Sequence, residues 1–201
     1  MKPTLLLTAI LLTATSVAQT AGWTALTPMA TARKGAVSFS IGTKGYICTG
    51  EDASGNKLKD LWEFNASTLP GTQVWTQRAS LDAVVPARSG AAGFAVQGNG
   101  YMGTGEDANG NRLSDFYKFD PIANSWSTIQ ALPGLGRSEG VGFAVGDKGY
   151  AGLGKFDNAG TIPNTDFYEL NPITGNWSVR AQFPVPGPRI GAVGFGIGFY
   201  G

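Results

Sequence analysis

The sequence contains no histidine and a single cysteine, Cys48. The absence of histidine excludes Ser-His-Asp and Cys-His catalysis and most transition-metal sites within this chain. One cysteine excludes an intramolecular disulfide, so the domain must be held together by packing and hydrogen bonds. We therefore predict no cofactor and no metal site. Because Cys48 falls in a predicted strand, we expect a buried, inert thiol.

Charge is also sparse, with 15 Lys and Arg residues against 14 Asp and Glu residues. Neither sign is clustered along the chain, so the sequence has no electrostatic footprint for nucleic acid or for an anionic membrane. We predict neither of these partners. A protein or a glycan remains the expected kind of ligand.

Long apolar runs are absent except at the N-terminus. Lys2 provides a positive start, residues 5–12 provide a short apolar core, and Ser16, Val17 and Ala18 form a small-residue cleavage site. The core is too short to span a bilayer comfortably. Residues 1–18 are therefore predicted to be a signal peptide that sends the protein to the periplasm, the cell surface or the medium, without membrane insertion after its removal.

Glycine, by contrast, is abundant at 30 of 201 residues, and it belongs to a repeat of about 50 residues. Each repeat carries a Trp, an Arg, a Phe six residues after the Arg, and a Gly-Tyr pair. The tryptophans are Trp23, Trp75, Trp126 and Trp177, and the arginines are Arg33, Arg88, Arg137 and Arg189. The phenylalanines are Phe39, Phe94, Phe143 and Phe195, and the paired tyrosines are Tyr46, Tyr101 and Tyr150.

Within each repeat the side chains alternate as they do in β-strands. After Arg33, the large residues Val37, Phe39 and Ile41 alternate with Ala and Ser. Neither face is charged, so we expect both to be covered, with the small-residue face allowing a neighbouring sheet to come close. Three further strands begin at the Gly-Tyr pair, at an Asp-aromatic-x-aromatic motif and at the Trp. Four antiparallel strands per repeat predict a β-propeller blade.

The order of these marks resembles the Kelch repeat over residues 21–201. Kelch repeats usually carry a Gly-Gly pair after the second strand, where this chain has Thr49-Gly50, Thr104-Gly105 and Leu153-Gly154. That variant looks like the divergent Kelch repeats of exported bacterial proteins. The resemblance implies an all-β, Kelch-type propeller over residues 19–201. Its full blades are expected at about 33–82, 88–133 and 137–184, and the next blade begins at 189–201.

The two ends of this array are incomplete. Residues 23–26 match a fourth strand without a blade before it, and we expect them to be a closing strand. Three blades cannot close a ring, since propellers use roughly four to eight. We expect the chain to be the N-terminal part of a longer propeller of about six or seven blades. The alternative is a short chain that completes its ring by self-association.

In a four-stranded meander, the loop before the first strand and the loop after the second lie on the same rim. The candidate binding residues at this channel mouth are Arg33, Arg88, Arg137, Arg189, Glu51, Glu106, Asp107 and Lys155. One interpretation is structural, with Arg-to-carboxylate or Arg-to-carbonyl bonds that lock the blades. The other is a polar mouth that recognises a glycan or an extended peptide.

Two features of this mouth deserve separate interpretation. The third blade departs from the others, because Lys155 and Phe156 replace a Glu-Asp pair and the following loop, 158–164, is two residues longer. Ligand selectivity tends to lie in such an irregular loop. The oxygen-rich loops 51–56 and 106–111 resemble calcium loops, but their Ser-Gly and Asn-Gly pairs favour tight hairpin turns.

We predict a non-catalytic secreted or cell-surface recognition module for protein or carbohydrate. Galactose oxidase is an enzyme with a similar propeller, but its copper chemistry needs histidine ligands and a crosslinked Cys-Tyr pair that this chain does not provide. One alternative is the N-terminal part of a sugar-processing enzyme resembling the sialic-acid epimerases, with its catalytic residues outside this chain. Another is a structural or adhesive repeat of a larger surface protein.

Overall fold

The computed structural model describes residues 25–66, 74–156, 165–182 and 189–197. The predicted signal peptide, Trp23 and the loop 158–164 lie outside the described residues. The regular structure of the described residues consists of 14 β-strands. Among these residues there is no helix that could cross a membrane.

Twelve of the strands form three four-stranded antiparallel sheets, which we call the first, second and third blades. The first blade contains β1 (Val37–Ile41), β2 (Lys44–Cys48), β3 (Leu61–Asn65) and β4 (Trp75–Arg78). The second contains β6 (Ala92–Val96), β7 (Asn99–Gly103), β9 (Phe116–Asp120) and β10 (Ser125–Ile129). The third contains β11 (Val141–Val145), β12 (Lys148–Gly152), β13 (Phe167–Asn171) and β14 (Asn176–Arg180). The remaining two strands, β5 (Arg88–Ser89) and β8 (Glu106–Asp107), pair with each other.

Each blade is a meander in which neighbouring strands in the sheet follow one another in the chain. The predicted strands and turns account for this order, since alternating residues form the first hairpin and an Asp or Asn begins the turn after the third strand. Asp120, for example, accepts hydrogen bonds from the backbone N–H groups of Ile122 and Ala123 at 2.8 and 3.0 Å. The predicted all-β propeller of four-stranded blades is confirmed.

The innermost hairpin of each blade carries a stacked aromatic pair. Phe39 lies opposite Tyr46 in the β1–β2 register, and their ring centroids are 5.4 Å apart. The pairs in the other blades, Phe94 with Tyr101 and Phe143 with Tyr150, have centroid distances of 5.3 and 5.5 Å. The repeated Phe and Tyr of the first two blades are therefore buried, whereas Phe143 and Tyr150 are partly buried and Phe195 is 67% exposed.

Blades pack closely because small residues of one blade face large residues of the blade before it. A Cβ atom added at Gly100 would lie 2.3 Å from the ring of Phe39, and one added at Gly149 would lie 2.0 Å from the ring of Phe94. Only glycine leaves room for the aromatic ring at these two positions. On the small-residue face of the first strand, a Cβ added at Gly93 would lie 2.2 Å from Val37, so this face does admit a neighbouring sheet.

Cys48 lies in the first of two buried clusters, where it is completely buried. Burial raises the pKa of its thiol to about 12, so the thiolate is not formed near neutral pH. The predicted buried, unreactive thiol agrees with this position.

The repeated tryptophans tie successive blades together at the outer edge. The indole Nε1 of Trp126 donates to the carbonyl oxygen of Ala79 at 2.8 Å, and that of Trp177 donates to Gln130 at 2.9 Å. In both cases the acceptor follows the fourth strand of the preceding blade. Trp75 donates in the same way to the carbonyl oxygen of Thr27 at 3.1 Å. Thr27 therefore matches Ala79 and Gln130 as an acceptor, although the described residues 25–29 form no strand.

Candidate functional site

The loops before the first strand and after the second strand pair with each other on one rim of the blades. In the second blade this pairing is β5 with β8, which places Arg88 opposite Asp107. Isolated bridges between Lys34 and Glu51 and between Ser138 and Lys155 repeat it in the first and third blades. The structure thus brings the sequence-predicted candidates together on a single rim.

The arginines of this rim make the same contacts in all three blades. Arg88 donates through Nη1 and Nη2 to the two carboxylate oxygens of Asp115, and the Nη2–Oδ2 distance is 2.7 Å. Its Nη1 also donates to the carbonyl oxygen of Thr104 at 3.1 Å. The corresponding pairs are Arg33 with Asp60 and Arg137 with Asp166.

These arginine side chains are almost entirely buried, with exposed fractions of 2%, 0% and 1% for Arg33, Arg88 and Arg137. Carboxylate and carbonyl oxygens accept hydrogen bonds from most of the N–H groups of these three guanidinium groups. A buried cation requires such partners. Their guanidinium groups therefore bind within their own blades. The partners Asp60, Asp115 and Asp166 were visible in the sequence as the start of the third strand, but nothing there assigned them to the arginines.

The backbones of these arginines connect one blade to the next. The N–H of Gly50 donates to the carbonyl oxygen of Arg88 at 2.9 Å, and the N–H of Gly105 donates to that of Arg137 at 2.7 Å. The N–H of Gly154 donates to the carbonyl oxygen of Arg189 at 2.9 Å. Segment 189–197 thus continues the array after the third blade.

The acidic candidates pair with cations other than the predicted arginines. Glu51 binds Lys57 at 2.5 Å and Lys34 at 3.0 Å, and Glu106 binds Arg112. Hydrogen bonds from Lys57 and then from Lys34 hold the pKa of Glu51 below its usual 4.5. The Glu51 carboxylate is therefore an ionised acceptor at neutral pH.

The two oxygen-rich loops are closed by their own aspartates. Asp107 Oδ1 accepts from the backbone N–H groups of Asn109 and Asn111, and its Oδ2 accepts from the side-chain amide of Asn111, all at 2.9 Å. Asp52 makes the equivalent bonds with Ser54 and Asn56. This is the geometry of an Asx-stabilised turn. Within the described residues, no group of three or more His, Cys, Asp or Glu side chains could hold a metal ion.

A chain of backbone hydrogen bonds runs across the blades just inside this rim. The N–H of Gly90 donates to the carbonyl oxygen of Gly35 at 2.8 Å, and the N–H of Glu139 donates to that of Gly90 at 2.8 Å. The N–H of Gly191 then donates to the carbonyl oxygen of Glu139 at 2.9 Å. All four residues have positive φ, with values of 59°, 63°, 56° and 62° in chain order.

Glu139 is the exception among these four hydrogen-bonded residues, because the other three are glycines. The left-handed conformation disfavours any residue with a Cβ. Its side chain is 41% exposed and binds Lys155 at 2.6 Å. Lys155 in turn occupies the position that Glu51 and Glu106 have in the other blades. The third blade therefore has a Lys where the first two have a Glu, and a Glu where they have a Gly.

Two further residues distinguish the third blade at the same place. Phe156 takes the position of Asp52 and Asp107, and its ring centroid lies 5.0 Å from the guanidinium carbon of Arg137. The hydroxyl of Ser138 is buried and has no hydrogen-bond partner. We call Glu139, Lys155 and Phe156 the third-blade rim site. Sequence reasoning missed Glu139, although the sequence does show a Glu where the other repeats have Gly.

Comparisons with known proteins give a fold and no family. No family model matches the chain, and no curated protein matches it. A solved structure titled "Structure of YjhT" is similar, with a TM-score of 0.62 and 20% sequence identity. The match covers 76% of this chain and 51% of that chain, so this chain spans about half of that protein's length. At this level of identity the likeness establishes the fold alone, an all-β propeller-like arrangement of four-stranded blades.

Proposed function

We propose that this chain is a divergent Kelch-type propeller module, exported to the periplasm, the cell surface or the medium, which binds a protein or carbohydrate ligand without catalysis. The ligand contacts the third-blade rim site. The repeat marks, the predicted signal peptide and the charged residues along one rim support this proposal.

The observation that carries it is the backbone conformation of Glu139. A non-glycine residue in the left-handed region costs roughly 1–2 kcal/mol, and glycine occupies the three equivalent positions. Such a cost persists where a side chain is needed, which makes a strained residue a candidate for function. Thr49, Thr104 and Leu153 also have positive φ but are buried, whereas Glu139 has a partly exposed carboxylate.

The chemistry of the site suits recognition of a polar ligand. Glu139 supplies hydrogen-bond acceptors and Lys155 supplies donors, and the two lie within 2.6 Å of each other. Phe156 adds a half-buried aromatic ring, which suits the apolar face of a sugar ring or an aliphatic side chain. Arg33, Arg88 and Arg137 are buried, whereas Arg189 is exposed and its carbonyl oxygen binds Gly154 of the third blade.

A binding screen with matched variants tests the proposal. The secreted protein is exposed to immobilised glycans and to extended peptides, and each hit is titrated against the wild type, Phe156→Ala and Lys148→Ala. Lys148 is the control because it lies next to the turn between β11 and β12, at the opposite end of the blade. We expect Phe156→Ala to weaken binding about tenfold while Lys148→Ala leaves it unchanged. The absence of any hit, or equal loss in both variants, contradicts the proposal.

A further inference from the structure

The rim of the junction between the first and second blades holds a lysine that reaches from one blade to the next. Lys57 lies in the loop between β2 and β3, and its Nζ donates to the carboxylate of Glu51 at 2.5 Å. The same ammonium donates to the hydroxyl oxygen of Ser89, in the second blade, at 2.8 Å. This junction therefore shows how the rim binds a primary ammonium, between a carboxylate and a serine hydroxyl.

The junction between the second and third blades repeats this serine. Ser138 has the same position in the rim pairing of its blade as Ser89 has in the second blade. A Cβ added at Gly35 would lie 3.5 Å from the Cβ of Ser89, and one added at Gly90 would lie 3.5 Å from the Cβ of Ser138. The two serines therefore approach the preceding blade in the same way.

Ser138 differs from Ser89 in its hydrogen bonds. Its hydroxyl is buried and has no hydrogen-bond partner among the described residues, and the residue is only 2% exposed. Arg112, which takes the chain position of Lys57, binds Glu106. A buried hydroxyl without a partner costs free energy, so it calls for a group that completes its hydrogen bonds.

Glu139 places a carboxylate beside this hydroxyl. Its Cγ also lies 3.5 Å from the Cβ position of Gly90, so the side chains of Glu139 and Ser138 flank the same point of the second blade. The Glu139 side chain is 41% exposed, which leaves its carboxylate open to a ligand from solvent. A serine hydroxyl and a carboxylate thus lie together here, as they do around Lys57.

The existing ion pair of Glu139 leaves room for a second cation. Glu139 binds Lys155 at 2.6 Å through Oε1. In the first blade, the single carboxylate of Glu51 binds two ammonium groups, with Lys57 at 2.5 Å and Lys34 at 3.0 Å. The same rim therefore already contains a carboxylate shared by two lysines.

We propose that the third-blade rim site binds the ammonium group of a lysine side chain presented by an extended polypeptide. The ammonium donates to the hydroxyl of Ser138 and to the carboxylate of Glu139. Lys57 makes the equivalent two bonds at the first junction. A polypeptide is favoured over a glycan because the internal occupant of the equivalent place is itself a lysine side chain. This inference rests on the proposed function and assigns its ligand to one chemical class.

Binding of defined probes tests this assignment. The probes are extended peptides with one central lysine, the same peptides with acetyllysine in its place, and oligosaccharides of glucosamine, which also carry ammonium groups. We expect the lysine peptides to bind and acetylation to weaken binding about tenfold or more, because it removes the charge and keeps the aliphatic stem. Equal binding of both peptide forms overturns the proposal. So do glucosamine oligosaccharides that bind as tightly as the lysine peptides.

The variant Ser138→Ala distinguishes a ligand contact from a structural role. Since the hydroxyl has no partner among the described residues, its loss should leave the melting temperature unchanged or raise it. The variant should nevertheless bind the lysine peptides about tenfold more weakly. Ser127→Ala is the matched control, because Ser127 is exposed on β10, and it should leave binding unchanged. A folded Ser138→Ala protein with wild-type affinity overturns the proposal.

Failure of this inference differs from failure of the proposed function. If Phe156→Ala weakens the binding of a screened ligand while Ser138→Ala and acetylation have no effect, the rim site is retained and the lysine contact is wrong. If no peptide or glycan binds the wild type, both are wrong.

Discussion

The guanidinium group of Arg88 binds both carboxylate oxygens of Asp115, which lies 27 residues further along the chain. The pair joins the residue just before the first strand of the second blade to the residue just before its third strand. Arg33 with Asp60 and Arg137 with Asp166 do the same in the other blades. In each blade, one ion pair between a buried arginine and a partly exposed aspartate therefore fixes the rim on which the third-blade rim site lies.

Removal of this pair should strongly destabilise the second blade. Arg88→Ala leaves Asp115 without its buried partner, and we expect the free energy of unfolding to fall by about 3–5 kcal/mol. Arg88→Lys should recover little of this, because an ammonium cannot bind both oxygens and the Thr104 carbonyl in the same geometry. Chemical denaturation measures both changes.

Lys34→Ala is the matched control on the same rim. Lys34 also binds a carboxylate, that of Glu51, but its side chain is 79% exposed. Its loss should cost no more than about 1 kcal/mol. Similar effects of Arg88→Ala and Lys34→Ala would show that the burial of Arg88 does not matter for stability.

The glycines of the second strands provide a second prediction. Gly149→Ala forces a Cβ to within 2.0 Å of the buried Phe94 ring and should cost about 1–3 kcal/mol. Gly45→Ala makes the same chemical change at the equivalent position, where no atom lies within 4 Å, and should alter stability by less than about 0.5 kcal/mol. Thermal unfolding of the two variants compares them directly. Equal destabilisation would contradict the described packing between blades.

The backbone of Glu139 leads to a third prediction. Glu139→Gly removes the side chain from a left-handed residue and loses only a partly exposed ion pair, so the free energy of unfolding should stay the same or rise by up to about 1 kcal/mol. Gly90→Ala introduces a Cβ at φ 63° and only 3.3 Å from the Glu139 nitrogen, and should cost about 1–2 kcal/mol. Denaturation midpoints measure both. A marked loss of stability in Glu139→Gly would mean that its side chain has a structural role.

Tyrosine titration gives a fourth prediction. Burial, together with hydrogen bonds to Glu63 and Asp115 respectively, raises the pKa of Tyr46 and of Tyr117 from the usual 10.0 to about 12. The folded protein thus holds these protons more tightly than the unfolded chain. Their contribution to stability is complete below pH 10 and is lost as the pH rises from 10 towards 12.

The phenolate absorption of the folded protein should therefore rise at a higher pH than that of the denatured chain, since burial also raises the pKa of Tyr101, Tyr150 and Tyr168. The part of the rise near pH 12 should shrink in the Tyr46→Phe and Tyr117→Phe variants and should be absent from the denatured chain. A single titration near pH 10 in protein that circular dichroism shows to be folded would contradict the described environments of these tyrosines.

Much of the fold could be predicted from the sequence because strand period and turn residues are local signals. The alternation after Arg33 and the Gly-Tyr pair determine which residues pair across the first hairpin, and Phe39 does lie opposite Tyr46. The spacing of the tryptophans also predicted a closing strand at residues 23–26, but its described residues, 25 and 26, form no strand.

The partners of the charged residues were harder to predict, since each arginine has several carboxylates within reach along the chain. Arg88 binds Asp115 and not Glu106, although both carboxylate side chains are 29% exposed. The Asx turn of Asp107 then brings Glu106 to Arg112 instead. Glu139 was missed because its significance lies in its φ angle, which composition and spacing do not reveal.

The most direct test of the proposed recognition site converts the third rim into the pattern of the second. The triple variant Glu139→Gly, Lys155→Glu and Phe156→Asp reproduces the residues Gly90, Glu106 and Asp107. Calorimetric titration with the ligand found in the screen measures its affinity in wild type and variant. The account predicts a folded variant whose affinity falls by about tenfold or more. A folded variant that binds with the affinity of the wild type would contradict it.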